Sequence, residues 1–530
     1  MKHFFIGAFA LFAFSNLNAQ ELKTKPNWFN LDYEKDGIRG MGVERAYEEL
    51  LKGKTSQRVI VGVIDSGVDV NHEDLKANIW VNKGEIPNNG IDDDKNGFID
   101  DINGWDFLGA ADGRDIKDEQ LESTRLLKKY EAMFGEKPSK RTLKKFKTEY
   151  NDYISIKKQR DAQLKEANQY LPMYQNLYDN FVASSGILKG FLKTDELTNE
   201  AVTNIDEAEA DRDVRKAKQF YLQMVQMGAT EADIKDGVEH FEGMTKYSYN
   251  LDYSPRDIIG DDLTKLEYGK YGNNEVTGPD AKHGTHVAGI IGAVRSNDLG
   301  MKGVADNVEI MVVRAVPNGD ERDKDVANAI RYAVDNGAKI INMSFGKSRS
   351  PEKEWVDEAI KYALEKDVLL VAASGNDNDD VDLHVHFPSK FLNGGKEAEN
   401  FISVGAMNFE DGTNMVADFS NFGKKTVDVF APGIAIYSTV PDSKYQELQG
   451  TSMASPAVAG VAAMLKSYFP TLTATQLKAV ISSSVTKLGD SEIKKPGSDD
   501  IIKFGDLSNT GGVVNAYEAV KAAMQLTSKQ

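Results

Sequence analysis

Short apolar runs recur along the chain from residue 58 onward, and polar segments rich in turn-forming residues separate them. The first run, Val59–Ile64, is almost uninterrupted, which is typical of a strand covered on both faces. Similar runs occupy residues 309–316, 339–344, 368–373, 401–406 and 427–431. Amphipathic helical patterns lie between them, for example over 325–336 and 354–365. The alternation predicts an α/β fold with a mostly parallel sheet flanked by helices.

The segment 110–253 has a different pattern. It is rich in Lys, Glu, Gln, Tyr and Leu, and apolar residues recur at three- and four-residue steps, as at Phe146, Tyr150 and Tyr153. This predicts an all-α subdomain inserted between the two parts of an α/β domain, 20–109 and 254–530. We expect breaks between its helices at Gly135, Pro138, Pro172, Gly186 and Gly190. The alternative is a solvated charged linker, which the regular apolar stripe disfavours.

The first nineteen residues have the pattern of a secretory signal peptide. Lys2 and His3 precede the apolar run Phe4–Phe14, and the small residue Ala19 follows. The run is shorter than the ~20 apolar residues that a transmembrane helix needs. We therefore expect cleavage after Ala19 and export to the periplasm or the extracellular space, without membrane insertion of the mature protein. A buried N-terminal helix is the alternative.

Composition narrows the possible functions. The 530 residues include 64 Lys and Arg and 82 Asp and Glu, so the formal net charge is −18. An acidic chain is a poor candidate for nucleic-acid binding, which needs a positive surface. The chain has no cysteine. Disulfides, thiolate metal sites and a cysteine nucleophile are therefore excluded.

Three short motifs place reactive side chains at the predicted ends of elements. Asp65 follows the run Val59–Ile64, where a buried carboxylate needs a partner. His283 begins a helix of small residues, and Ser452 begins another, whose N-terminal dipole favours negative charge nearby. An Asp that orients a His, which takes the proton of a Ser, forms the triad of acyl-transfer enzymes. Each motif alone is compatible with a cap or a turn, but the three in this order favour the triad.

These motifs resemble those of the subtilisin-like serine proteases (subtilases, peptidase family S8) over most of the chain outside the insertion. The resemblance implies a subtilisin-like fold and a serine endopeptidase (EC 3.4.21) that forms an acyl-enzyme with protein or peptide substrates. It assigns Asp65, His283 and Ser452 to the triad. It also implies that Asn376 donates a hydrogen bond to the oxyanion, which is typically worth ~3 kcal/mol.

The resemblance extends to the substrate-binding segments. Residues 341–346 are similar to the family strand that pairs with extended substrates, which is a form of β-augmentation. The substrate-binding residues implied in this way are Ser344, Phe345, Gly346, Ser374 and Gly375. This chain has Lys347 where the family often has a further glycine. That difference leaves open the shape and the charge of the adjoining subsites.

The segment 88–101 contains the pattern D-x-D-x-N-G-x-x-D, which is typical of a calcium loop. Oxygen donors at alternate positions and a glycine at the tight bend predict a structural calcium site. The predicted ligands are the side chains of Asp92, Asp94, Asn96 and Asp100 and the carbonyl of Phe98. Position twelve is Asn103 rather than the usual bidentate Glu. A solvated acidic turn is the alternative.

His283 follows Asp65 by 218 residues, and the calcium loop and the helical insertion fill this interval. Such insertions often become lids or partner surfaces. We therefore expect the insertion to restrict or direct substrate access, and it is a candidate surface for contacts with a partner or substrate. Two other functions remain open. One is a binding scaffold that retains a protease-like core, and the other is a peptide ligase or transferase that uses the same acyl-enzyme.

Overall fold

The structure is a computed structural model that describes residues 26–269 and 271–528. The predicted signal peptide, residues 1–19, lies outside the described residues. The chain divides into two compact units. The helical unit is Asp118–Ser254, and the α/β unit contains the described residues on either side of it. Within the described ranges, no helix is both long enough and apolar enough to cross a membrane.

The α/β unit contains the strands of the structure. In chain order they are β1 Val59–Asp65, β2 Gly104–Asp106, β3 Val308–Arg314, β4 Ile340–Met343, β5 Leu369–Ala373, β6 Phe401–Met407, β7 Val429–Pro432, β8 Ile436–Val440, β9 Lys444–Leu448, β10 Thr486–Lys487, β11 Glu492–Lys494, β12 Ile501–Lys503 and β13 Gly512–Val513.

The helices follow the same order. They are α1 Tyr33–Asp36, α2 Val43–Arg45, α3 Glu122–Phe134, α4 Lys140–Lys145, α5 Lys147–Leu192, α6 Asn199–Thr203, α7 Arg212–Gln226, α8 Glu231–Gly243, α9 Lys282–Gly292, α10 Asp323–Asp335, α11 Lys353–Glu365, α12 Thr451–Tyr468, α13 Ala474–Ser483 and α14 Ala516–Thr527. Short 3₁₀ or π turns occupy Trp28–Asn30, Ala46–Leu51, Lys76–Asn78, Met244–Ser248, Pro255–Ile258, Gly412–Asn414 and Phe504–Asp506.

Nine strands form the main sheet in the order β10-β13-β7-β6-β5-β4-β1-β3-β2. Every neighbouring pair in it is parallel except β10 with β13. The apolar runs recognised in the sequence correspond to the consecutive strands from β7 to β3. The prediction of a mostly parallel sheet is therefore confirmed.

Helices cover both faces of this sheet. Val61 and Val63 of β1 belong to one hydrophobic cluster, which includes residues of α9 and α12. The next residue, Ile64, belongs to a second cluster, which contains residues of α10 and α11. Successive residues of a strand point to opposite faces. The continuous apolar runs arise because both faces are buried.

The helical unit is built around α5, a helix of 46 residues. Its apolar side chains join separate clusters along its length: Tyr153 packs with residues of α3, Ala167 with α8, and Leu188 with α7. The burial in this unit is therefore divided among small local cores.

The predicted breaks at Pro172, Gly186 and Gly190 are wrong, because all three residues lie inside α5. An interior proline removes a helix hydrogen bond and costs ~3 kcal/mol, but the clusters on both sides of Pro172 hold the helix together. A β-carbon at either glycine would meet no atom within 4 Å, so these positions face open space. The predicted break at Gly135 and Pro138 is correct, since both lie between α3 and α4.

Candidate active site

Three of the predicted reactive side chains lie at the ends of elements in the α/β unit. Asp65 is the last residue of β1, His283 is the second residue of α9, and Ser452 is the second residue of α12. Gly284 allows α9 to approach β1 closely, because a β-carbon there would collide with the carbonyl oxygen of Gly67. This close approach brings His283 to the end of the strand that carries Asp65.

Asp65 and His283 form a hydrogen-bonded pair. His283 Nδ1 lies 2.7 Å from Asp65 Oδ1, and the Ser66 N–H donates to the same oxygen over 2.8 Å. The carboxylate is 2% exposed and the imidazole 39%, so the outer edge of the ring reaches solvent. A carboxylate accepts hydrogen bonds, so Nδ1 carries the proton and Nε2 is left to act as a base.

The charge of Asp65 affects the pKa of His283. Burial of His283 opposes its positive form, but the charge of Asp65 and its hydrogen bond outweigh this, and Asp280 adds to them. The pKa of His283 is therefore raised above its ordinary value. His286, one turn further along α9, is fully buried, and burial lowers its pKa to about 3. Its Nε2 lies 3.0 Å from the carbonyl oxygens of Ile436 and Gln446.

Ser452 is bonded to the segment that follows β4. Its hydroxyl donates to the carbonyl of Ser344 over 3.0 Å, and the Ser344 hydroxyl donates to the carbonyl of Ser452 over 2.9 Å. Between the described side chains of Ser452 and His283 there is no hydrogen bond. Catalytic hydrogen bonds are often long before substrate binds. The structure thus joins Asp65 to His283 and Ser452 to Ser344.

Two N–H donors converge near Ser452. Asn376 accepts from the backbone N–H and from the hydroxyl of Thr451, each over 2.9 Å, which fixes its amide oxygen. The Nδ2 group is then free to donate in another direction. A β-carbon added to Gly450 would lie 3.5 Å from both Asn376 Nδ2 and Ser452 N. Two donors that share one space can stabilise an oxyanion.

The predicted substrate-binding residues follow two adjacent strands. Ser344, Phe345 and Gly346 come after β4, and Ser374 and Gly375 come after its parallel neighbour β5. The Ser374 hydroxyl donates to the carbonyl of Asn421 over 3.1 Å, and the Gly375 N–H donates to Thr451 Oγ1 over 3.2 Å. Both segments are therefore bonded to the first turn of α12, the first through Ser452 and the second through Thr451.

Lys347 is buried, although it directly follows the first of these segments. Its ammonium lies 2.9 Å from the carboxylate of Asp323 and donates to the carbonyl of Glu321 over 2.7 Å. The positive charge that the sequence places next to the substrate segment is thus neutralised inside the protein.

Three carboxylates converge in the acidic loop. Oxygens of Glu85, Asp92 and Asp94 lie within 4.8 Å of one another, so the group could hold a metal ion. Glu85 is not part of the sequence motif. No local pattern in the sequence marks it as a ligand, and it is buried in the fold. A set of carboxylate oxygens suits a hard divalent cation.

The three other predicted ligands, Asp100, Asn96 and Phe98, are not in this group of carboxylates. Asp100 accepts the backbone N–H groups of Asn89 and Gly90 over 3.1 and 2.8 Å. Asn96 uses its side-chain oxygen to accept the N–H of Phe98 over 2.8 Å. The Phe98 ring is buried against Trp105 and Tyr332. A metal-ligand role for these three residues stays a prediction.

A parallel sheet that carries an Asp–His pair, with a serine and paired N–H donors at a helix N-terminus, belongs to the class of α/β serine hydrolases. Sequence comparison specifies the class further. The profile of the Subtilase family (peptidase S8) matches residues 56–497. The chain belongs to this family of serine endopeptidases.

Individual relatives agree with this assignment. Subtilisin DY from Bacillus licheniformis is 37% identical over 211 residues, which cover 39% of this chain and 72% of the relative. Thermitase from Thermoactinomyces vulgaris is 36% identical over 245 residues, or 45% and 75% of the two chains. A thermophilic serine proteinase from Bacillus sp. (strain AK1) is 42% identical over 186 residues, or 35% and 42%.

A solved protease structure from Pseudoalteromonas arctica PAMC 21717 is also similar. Its sequence identity is 28%, the alignment covers 50% of this chain and 84% of that chain, and the TM-score is 0.39. The family assignment rests on the sequence matches.

Proposed function

We propose that Ser452 is the nucleophile, His283 the general base and Asp65 the orienting carboxylate in the hydrolysis of peptide bonds. The observation that carries this assignment is the 2.7 Å contact between His283 Nδ1 and Asp65 Oδ1. It selects the tautomer whose Nε2 can take a proton. The charge of Asp65, which raises the pKa of His283, also stabilises the imidazolium that forms when that proton arrives.

In the proposed reaction, Ser452 Oγ attacks the carbonyl carbon of the scissile bond while His283 Nε2 takes the hydroxyl proton. The hydroxyl must first turn away from the Ser344 carbonyl, which requires rotation about one side-chain bond. The C–N bond then breaks, and His283 gives its proton to the departing amine. Water attacks the acyl-enzyme by the same route, which releases the acid and restores Ser452.

Asn376 Nδ2 and the backbone N–H of Ser452 are the proposed oxyanion donors. Their shared space beside Gly450 supports this role. The bonds from Thr451 to the Asn376 oxygen hold the amide in one orientation. A donor that is oriented before the reaction costs no reorganisation when charge develops on the substrate.

Substrates are proposed to bind in an extended conformation along Ser344–Gly346 and Ser374–Gly375. The backbones of Phe345 and Gly346 have no backbone hydrogen bond to another described residue. Their N–H and C=O groups are therefore available to a peptide strand. The substrates are proteins or peptides.

Labelling with a fluorophosphonate probe tests the nucleophile. The wild type is expected to react, and Ser452→Ala is expected to lose labelling and about 10⁶-fold in kcat. The exposed Ser348 is a matched control, and Ser348→Ala should retain both. Labelling that persists in Ser452→Ala would contradict the assignment.

We also propose that Glu85, Asp92 and Asp94 hold a structural calcium ion. Their convergence supports this, and the ion would act as a clamp on the loop.

Export is proposed from the signal-like pattern of residues 1–19, and the test is N-terminal sequencing of protein recovered outside the cytoplasm.

The helical unit is proposed to restrict or direct substrate access. Replacement of residues 118–254 by a short linker should raise hydrolysis of folded proteins relative to short peptides. Fluorophosphonate labelling of the shortened chain verifies that its active site is assembled. An unchanged ratio of protein to peptide hydrolysis in a labelled, shortened chain would overturn this role.

A further inference from the structure

His386 lies between the two proposed substrate segments. A β-carbon at Gly346 would collide with His386 Nε2, and one at Gly375 would lie 2.9 Å from His386 Cε1. One edge of the imidazole therefore faces the segment after β4, and the other faces the segment after β5. Both positions are glycines, and the ring occupies the space that their missing side chains leave.

The backbone fixes the ring in this place. Phe387, the next residue, exchanges two hydrogen bonds with Lys347: the Lys347 N–H donates over 3.0 Å and the Phe387 N–H over 2.9 Å. Lys347 is itself tied to Asp323 by its buried ammonium. His386 is thus held next to Gly346 by a short antiparallel bridge.

The space between the two proposed substrate segments adjoins the proposed nucleophile. Ser344 is bonded to Ser452 through both hydroxyls, and Asn376 is bonded to the neighbouring Thr451. The two segments therefore flank the proposed nucleophile. A peptide that lies along both segments with its scissile carbonyl at Ser452 Oγ would place the side chain of the attacked residue between them. That side chain, on the acyl side of the scissile bond, is the P1 side chain.

We propose that His386 is a specificity-determining residue, which fills most of the P1 space and restricts cleavage to bonds that follow small side chains such as Gly, Ala and Ser. The proposal rests on the proposed function of Ser452. A large apolar side chain would have to displace the imidazole or overlap it, and overpacking of this kind is disfavoured.

The electrostatics favour small over acidic side chains. Burial lowers the pKa of His386, and the charge of Asp377 only partly opposes this. The ring is accordingly neutral near pH 7 and provides no positive charge for an acidic substrate. The nearby carboxylate of Asp377 would repel one.

Removal of the ring would enlarge an existing space. His386 lines a small pocket together with Ser374 and Pro388. The variant His386→Gly adds the volume of the imidazole to this pocket. An aromatic P1 side chain would then have room to enter.

The test compares kcat/KM for peptides that differ only at P1. The wild type is expected to prefer Ala over Phe by at least about tenfold, a discrimination that a few heavy atoms in a pocket can supply. His386→Gly should reverse this preference, and His386→Ala should weaken it. His384→Gly is the matched control: it also removes an imidazole, but this side chain is 62% exposed and pairs with Asp379, so the wild-type preference should persist.

Fluorophosphonate labelling of Ser452 in each variant separates the possible failures. A labelled wild type that cleaves after Phe as readily as after Ala would overturn the role of His386. So would a labelled His386→Gly with the wild-type preference. A wild type that neither labels nor cleaves any peptide would instead overturn the proposed function, and this inference with it.

Discussion

The α/β unit and the helical unit bury their apolar side chains in different ways. In the α/β unit, two large clusters cover opposite faces of one nine-stranded sheet, and each draws residues from distant parts of the chain. In the helical unit, small clusters follow one another along α5. A continuous core holds the ends of its strands and helices in fixed relative positions, as a site made from those ends requires. Each local core of the helical unit holds only the few helices that meet at it.

This difference predicts where substitutions act. In the α/β unit, changes at the element ends should alter the reaction, because the core keeps its shape around them. In the helical unit, changes to a local core should alter the stability of that unit and leave the chemistry of short peptides untouched.

The largest effect is expected at the end of β1. Asp65→Asn would place an amide beside His283 Nδ1 and favour the tautomer whose Nε2 already carries a proton, so kcat should fall about 10⁴-fold. Steady-state hydrolysis of a short peptide measures this. The matched control is Asp69→Asn, four residues further on, which should retain most of the activity. An Asp65→Asn variant with wild-type kcat would break the link between this end of the sheet and the reaction.

A smaller effect, on stability, is expected in the helical unit. Leu188 is fully buried on α5, and Leu188→Ala should destabilise the unit by about 2–5 kcal/mol through lost burial and a cavity. Hydrogen exchange of peptides from this unit measures the loss. The neighbouring Ile187 is 41% exposed, so Ile187→Ala should change little. A matching rise in exchange within the sheet would show that the two cores are not independent.

The acidic loop lies in the α/β unit, but substitutions in it are expected to change stability and not the reaction. Calcium at about 100 times its Kd should stabilise the wild type by roughly 2.7 kcal/mol. Glu85→Gln should reduce this gain, whereas Asp93→Asn, whose carboxylate lies outside the cluster, should not. The stabilisation is measured as the difference between the melting temperature in calcium and that in a chelator, for the wild type and for each variant. An equal gain in both variants would exclude Glu85 as a ligand.

The smallest effect is a shift in pH dependence. Asp280 contributes to the raised pKa of His283, so Asp280→Asn should lower that pKa. His283 must be neutral to act as a base, and the acid limb of kcat/KM should therefore move to lower pH. The exposed Glu275 is the control, and Glu275→Gln should leave the limb in place. A shift to higher pH would contradict the electrostatic origin of this effect.

The main features of the sheet could be predicted from the sequence because burial on both faces leaves a direct pattern. Each apolar run from Val59 onward became one of the central strands. The helices of the insertion were harder to bound. Pro172 ends helices in most local contexts, but packing on both sides of it keeps α5 continuous. This tertiary contribution has no local signature.

Prediction of the site from the sequence is limited in the same way, because some of its contacts leave no local pattern. Asp65, His283 and Ser452 are recognisable because each lies at the end of an element with a distinctive neighbourhood. Glu85 and His386 carry no such mark. Glu85 meets Asp92 only when the loop folds back, and His386 meets Gly346 only through the bridge of Phe387 with Lys347. Residues such as these, whose contacts are distant in the sequence, can be identified only from the structure.

The pairing of β1 also has a consequence for synthesis on the ribosome. Val59 lies opposite Val308, which is 308 − 59 = 249 residues later in the chain, and the other neighbour of β1, the strand β4, comes later still. At about 5–20 residues per second, translation of that interval takes roughly 12–50 s. The first strand to emerge is thus the one that waits longest for both partners. The hydrophobic clusters of the helical unit, by contrast, consist of residues within 118–254, and this segment is fully synthesised before either partner of β1 exists.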